Sequence, residues 1–420
     1  MYCYEWTTKL LPLVSLLLSV LCVSLTMTIC PTPLPCHCIG NQVVYCAFLR
    51  LAALPYFLDF KQSWQELDVS ENFIAALPAG GLRGVRARLL KLNRNSVRSI
   101  AAGAFVGVED LAVLDLSHNY LRDLPPAVFA PLVDLRTLRL AYNQLTAIGA
   151  GAFDAIPHLY ELDLQGNDLA AVPSRALAAV RRLRRVNLRN NRLRTIDAYA
   201  FAGLALEVID AGDNTSPMAV HRDAFCGLAP RVVAAGGGVE PSIIEWSGLH
   251  TLLLDHNGLT TLNPCITRTI WTLHVVDVSG NPLRCDCRLL SIRGDFGASS
   301  SAPASRTTFP GAQCAFPERL AGQYLADVVP AAYREECAGG GRNDTTEGGA
   351  ATACWESCQS KPSTLGYWSG VRRLPDAGLL LRCLILAYAA LRLSVVGASG
   401  GGDCGRRTTL STPAADSLVR

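Results

Sequence analysis

Leu111-Ala-Val-Leu114-Asp-Leu116-Ser-His-Asn119-Tyr-Leu121 is the stretch that decides how this chain folds. Leu114 and Leu116 flank a polar Asp115, which is the period-two pattern of a short strand with one buried face. Asn119 then turns the chain, and its side-chain amide can bond the backbone of neighbouring turns. The frame L-x-x-L-x-L-x-x-N-x-L returns at Leu135/Leu138/Leu140/Asn143/Leu145, at Leu159/Leu162/Leu164/Asn167/Leu169 and at Leu183/Val186/Leu188/Asn191/Leu193. Asn72, Asn95, Asn119, Asn143, Asn167, Asn191 and Asn214 stand 23 or 24 residues apart, and Asn257 and Asn281 resume the beat. A helical array would instead show apolar spacings of three and four. The irregular stretch 229–247 reads as one degenerate repeat. Its Gly236-Gly237-Gly238 is not followed by G-K-[ST], so it does not form a phosphate loop.

A second motif follows each strand: Val128-Phe129-Ala-Pro-Leu132, Ala152-Phe153-Asp-Ala-Ile156 and Ala200-Phe201-Ala-Gly-Leu204. These residues fill the core from the outer side. One unit cannot bury its own apolar face, whereas stacked units share a continuous core. The expected architecture is an α/β solenoid, a curved horseshoe with a parallel inner sheet.

On these motifs the chain resembles an extracellular leucine-rich-repeat protein, of the broad class that includes Slit, Nogo-receptor-like and Toll-like ectodomains. Cysteines bracket the repeats: Cys30, Cys36, Cys38 and Cys46 in front, then Cys285-Asp-Cys287, Cys314 and Cys337 behind. Both groups resemble the cysteine-rich caps of that family, which cover the open apolar face of a terminal repeat. The resemblance implies Cys30–Cys38, Cys36–Cys46, Cys285–Cys314 and Cys287–Cys337, pairings that sequence alone does not choose. Cys226 and Cys265 either bridge or remain single. Cys36-His37-Cys38 lacks a second ligand pair at metal spacing, so no metal is expected.

The implied organisation is a signal peptide (1–28), an N-terminal cap (29–62), repeats (63–283), a C-terminal cap (284–337), a flexible linker (338–376), a hydrophobic segment (377–398) and a polar tail (399–420). Residues 10–25 form an apolar run too short to favour a spanning helix. Secretion follows, into a compartment where disulfides persist. Segment 377–398 has spanning length, but Arg382 and Arg392 oppose insertion. It reads either as a membrane attachment or as an amphipathic tail. Asn343-Asp-Thr345 is the expected glycan acceptor. Asn214-Thr-Ser216 also fits the sequon, but Asn214 belongs to the buried beat.

Parallel pairing makes equal slots lateral neighbours. The outward fifth slot reads Asp68, Lys91, Asp115, Arg139, Asp163, Asn187, Asp210, with charge tending to alternate in sign. Exposed opposite charges neutralise one another without further purpose. They also make a polar recognition surface, for which Lys91, Arg94, Asp115, His118, Arg139, Tyr142, Tyr160 and Asp163 are the candidates. The run Arg181, Arg182, Arg184, Arg185, Arg189 is a candidate anion site for a glycosaminoglycan. Net charge is only +3, from 38 basic and 35 acidic residues, so a nucleic-acid groove is not expected. No catalytic constellation emerges at usable spacing, and a curved sheet lacks a closed pocket, so neither enzymatic activity nor a cofactor is expected. The expected function is extracellular recognition or adhesion, with an extracellular protein as partner. The alternative is a matrix protein that binds collagen or glycosaminoglycan.

Overall fold

The structure, a computed structural model, describes residues 27–29, 36–40, 42–55, 63–214, 217–229, 231–233, 243–245, 248–263, 265–266, 273–286, 289 and 308–328. The chain divides into two units, residues 1–360 and 361–420, and every described residue lies in the first. The calls on Cys30, Cys287, Cys337, Asn343 and segment 377–398 lie outside the described residues.

The first unit is a parallel-sheet solenoid with little helix. Its main sheet opens antiparallel, with Met27–Ile29, His37–Ile39 and Val43–Tyr45 in order. Val43–Tyr45 then pairs parallel with Trp64–Asp68, so the front of the molecule continues the repeat sheet without a break. From Trp64–Asp68 the parallel strands follow in chain order through Ala87–Lys91, Val113–Asp115, Thr137–Arg139, Glu161–Asp163, Arg185–Asn187 and Val208–Asp210 to Thr251–Leu253 and Val275–Asp277. The register matches like slot to like slot: Asp115 opposes Arg139, and Asp163 opposes Asn187.

The apolar slots turn inward as the alternation requires. Leu90, Leu114, Leu138 and Leu162 are fully buried. On the outer side Phe105, Phe129 and Phe153 form a spine with ring centroids 5.9 and 6.3 Å apart, and Phe201 stacks on Phe225 at 5.9 Å. Leu177, in the short helix Ser174–Leu177, stands in the intervening repeat.

The asparagines form a ladder. Asn119 Nδ2 donates to Leu116 O and to Leu92 O of the preceding repeat, both at 3.0 Å, while its Oδ1 accepts from Val97 N at 2.9 Å. Asn143, Asn167 and Asn191 repeat this triad. A single amide thus serves three backbone groups that lack a sheet partner at the turn.

The strands described within the stretch 229–247, expected as one degenerate repeat, stand outside the main sheet. Val208–Asp210 pairs directly with Thr251–Leu253, and Asn257 Oδ1 accepts from Asn214 N at 2.7 Å as the next rung. Within the stretch, Arg231–Val233 and Ile243–Glu245 pair antiparallel with each other. The segment lacks the leucine frame in sequence, and Leu252 and Leu254, which resume it, are fully buried.

Disulfides join Cys36 to Cys46 and Cys285 to Cys314. Cys38, Cys226 and Cys265 are also disulfide-bonded. Behind the last repeat, Leu283–Arg284 pairs with Cys314–Phe316, and Phe309, Ala312, Leu320 and Leu325 close the core.

Candidate functional site: the concave face

The side chains opposite the buried leucines form two lateral rows on the inner face. The first is the fifth slot. There Lys91 lies between two carboxylates, bonding Glu66 and standing 3.6 Å from Asp68. The bond from Glu66 dominates over burial and holds the Lys91 ammonium above its ordinary pKa. Arg139 Nη1 stands 3.7 Å from Asp115 Oδ2. Asp163 has no ionic partner among the described residues, because its other neighbour in the row is the neutral Asn187. Burial, reinforced by Glu161 and Asp115, pushes the Asp163 carboxyl upward against the opposing effects of Gln165 N–H and Arg139.

The second row follows the strands, immediately before each ladder asparagine. It runs Glu71, Arg94, His118, Tyr142, Gly166, Asn190, Asp213, His256, Gly280, and every member has a φ between 51° and 66°. Left-handed backbone suits glycine, yet seven of the nine are side-chain-bearing residues held there by the ladder. Glycine at 166 and 280 has a specific reason. A Cβ on Gly166 would stand 2.6 Å from Tyr142 Cδ1, and one on Gly280 would strike the His256 ring. Each aromatic ring lies over the glycine of the following repeat.

His118 stacks on Tyr142 with centroids 4.5 Å apart and planes 13° from parallel. Gln165 Nε2 donates to Tyr142 Oη at 3.0 Å. Arg94 Nη1 pairs with Glu71 Oε1 at 2.8 Å. Together the two rows line an open depression of about 390 Å³ bounded by Glu71, Asn93, Arg94, Asp115, Ser117, His118, Ala141, Tyr142, Asp163 and Gln165. Five of the eight candidate contact residues therefore meet in one place: Arg94, Asp115, His118, Tyr142 and Asp163. Lys91 and Arg139 flank it in the strand row. Tyr160 does not line it. It precedes its strand, and its carbonyl accepts from Arg184 N and Arg185 N.

The arginine run does not act as one unit. Arg189 turns into the sheet, where its guanidinium binds Asp255 through Nη2···Oδ1 at 2.6 Å and Nη1···Oδ2 at 2.9 Å, Asp210 through Nε at 3.1 Å, and Asp213. Arg184 donates to Ala205 O at 2.6 Å and stands 3.9 Å from Glu207. Of the five anion-site candidates, Arg189 thus engages carboxylates of the sheet and Arg184 a backbone carbonyl. Arg181, Arg182 and Arg185 point outward as exposed residues.

Asp213, Asp255 and His256 bring three ligand atoms within 4.8 Å of one another. The Arg189 guanidinium already bonds both carboxylates there, so the cluster is a charge-balanced network rather than an open cation site. Burial would raise the Asp255 carboxyl, but bonds from Arg189 and His256 outweigh it and hold Asp255 below the usual carboxylate range. The bond to Asp255 likewise lifts His256 above its ordinary value.

The left-handed row and the Arg189–Asp255 link escape a reading of sequence slots. Gly166 and Gly280 in the slot before the asparagine were the available signal for the row. Nothing local signals the link, because its partners are 66 residues apart. Asn214 is buried, with Nδ2 donating to Ala211 O at 2.9 Å and Gly212 O at 3.0 Å, so its amide is committed to the ladder.

Comparison with known proteins agrees with this geometry. The leucine rich repeat family matches residues 86–145 and 157–215. The platelet glycoprotein Ib beta chain of Rattus norvegicus is 28% identical over 162 residues, covering 39% of this chain and 66% of that protein. Leucine-rich repeat-containing protein 3 of Danio rerio is 36% identical over 106 residues, 24% of this chain and 38% of that one. The chain thus spans less than two thirds of the length of these curated relatives. The octameric complex of Latrophilin 3, Unc5D and FLRT2 contains a repeat chain with TM-score 0.50 and 18% identity, covering 71% of this chain and 98% of that one. At that identity the likeness speaks for the fold alone.

Proposed function

Because this chain is a leucine-rich-repeat protein, we propose that it is an extracellular recognition or adhesion molecule that binds a protein partner on its concave face. The observation carrying this is the depression around the stacked His118–Tyr142 pair. The pair is exposed and held on a rigid sheet, and tyrosine on a pre-ordered surface contributes contact area at little entropic cost. Arg94, Asp115 and Asp163 around it supply the polar contacts that set register. The proposed organisation is a signal peptide at 1–28, caps at 29–62 and 284–337, and a segment at 377–398 that serves either as a membrane attachment or as an amphipathic tail, with Asn343 as glycan acceptor. The likeness to platelet glycoprotein Ib beta chains supports an extracellular location. The test is a binding screen of the secreted chain against cell-surface ectodomains, repeated with His118→Ala/Tyr142→Ala. Loss of the recovered interaction at unchanged thermal stability is the expected result. An interaction indifferent to both substitutions places the contact elsewhere.

A second reading is a matrix protein that binds a sulfated polysaccharide. Exposed Arg181, Arg182 and Arg185 favour it, since guanidinium groups bind sulfate bidentately. Heparin chromatography decides: elution at physiological salt, unchanged by alanine at these three positions, removes it.

A further inference from the structure

We propose that the concave depression receives a basic side chain, arginine or lysine, from the protein partner, with Asp163 as its counter-ion. This rests on the concave-face reading above and names the chemistry of what it binds.

The argument starts from the strand row. Asp68, Asp115 and Asp210 each have a cation beside them, in Lys91, Arg139 and Arg189. Within the depression the alternation fails beside Asp163. Asn187 occupies the slot where a cation would answer Asp163, and Arg139 leans towards Asp115 instead. One Asp163 oxygen accepts from Gln165 N at 3.1 Å, and the other has no described partner. Asp277, on the last rung of the main sheet, also shows no ionic partner among the described residues, but it lies outside the depression.

Among the residues lining the depression, Glu71, Asp115 and Asp163 are acidic and Arg94 alone is basic, a formal charge of −2 within a chain of net +3. Arg94 is paired with Glu71, so the uncompensated charge is on the Asp163 side. Basic side chains are amphipathic. Their methylene stem packs on apolar surface while the head seeks a carboxylate. The part-exposed His118–Tyr142 pair supplies the first surface and Asp163 the second. A half-buried carboxylate gains more from an incoming cation than a fully solvated one, because screening is weaker there. An acidic partner side chain would instead meet the same uncompensated charge.

The test uses the full chain and two small probes, acetyl-arginine amide and its neutral isostere acetyl-citrulline amide. At millimolar concentrations, the range expected of a single side chain, the arginine probe should shift the amide signals of Gln165 and Gly166, and citrulline should leave them in place. Asp163→Asn should abolish the response. Asn187→Arg should abolish it too, by supplying the missing cation from within, and it retains the carboxylate if Asp163→Asn folds poorly. Asp277→Asn should leave the response intact. Equal shifts with both probes, no shift with arginine, or a response that survives Asn187→Arg would overturn the proposal. Failure here is separable from failure of the broader reading. If an ectodomain partner is lost on Tyr142→Ala but unaffected by Asp163→Asn, the concave face stands and the charge assignment falls.

Discussion

Arg189 lays its guanidinium over Gly212 and binds Asp255 with both carboxylate oxygens, at 2.6 and 2.9 Å. Arg189 and Asp255 follow strands two rungs apart, and between Gly212 and Asp255 in sequence lies the stretch 229–247. The link therefore clamps the solenoid where its period is interrupted. Both groups are largely buried, with 24% and 8% of the side chain exposed. Removing one partner strands the other charge in a poorly solvated place. Arg189→Ala should lower unfolding free energy by about 2–4 kcal/mol, read from urea denaturation. Gly212→Ala should act on the same contact, because its Cβ would stand 2.5 Å from Asp255 Oδ1. A fully additive Arg189→Ala/Gly212→Ala double variant would show that the two do not share this contact.

Stability near this cluster should depend on pH in opposite senses through two groups. His256 is raised by its bond to Asp255. Its contribution is complete below the unfolded-state value near 6.5 and is lost as pH rises through the elevated folded value. Asp255 is depressed, so its contribution is complete above the unfolded carboxylate value and is lost as pH falls through the folded one. Thermal midpoints recorded from acid to mildly alkaline pH should show the alkaline decline diminished in His256→Asn. An unchanged decline would assign it to another group.

The ladder asparagine should tolerate no isostere. In Asn119→Asp the acceptor for Val97 N survives, but the donor to Leu92 O and Leu116 O becomes a carboxylate oxygen facing two carbonyls. Asn119→Ala leaves three buried backbone groups unmet, at a cost of about 2–4 kcal/mol. Asn119→Asp should be at least as damaging, and more so at neutral pH than in acid. An aspartate variant more stable than the alanine one would argue that the amide donor is dispensable.

Phe129 sits between Phe105 and Phe153 in the outer spine and is fully buried. Phe129→Ala should cost about 3–5 kcal/mol and Phe129→Leu clearly less. Urea midpoints of the pair would check this, together with secretion yield, since loss on that scale is comparable to the whole stability of many domains.

Losing the Cys285–Cys314 bridge, which spans 29 residues, should cost about 2–5 kcal/mol. Cys314→Ser is expected to reduce secretion sharply. Undiminished secretion would show that Phe309, Leu320 and Leu325 close the core unaided.

The solenoid, its parallel sheet and the buried status of Asn214 were legible in residues such as Leu114, Leu116 and Asn119. A 24-residue period with a two-residue alternation is local information, and stacking identical units turns it directly into lateral rows. Five of the eight concave-face candidates meet in the depression for the same reason. Other features were decided only in three dimensions. The strands Arg231–Val233 and Ile243–Glu245 fall where a repeat was expected, yet they pair with each other while Val208–Asp210 pairs with Thr251–Leu253. Arg189 belongs by sequence to a basic run. Its reach across Gly212 to Asp255 depends on Val208–Asp210 and Thr251–Leu253 being neighbours, a non-local consequence that no spacing within one repeat encodes.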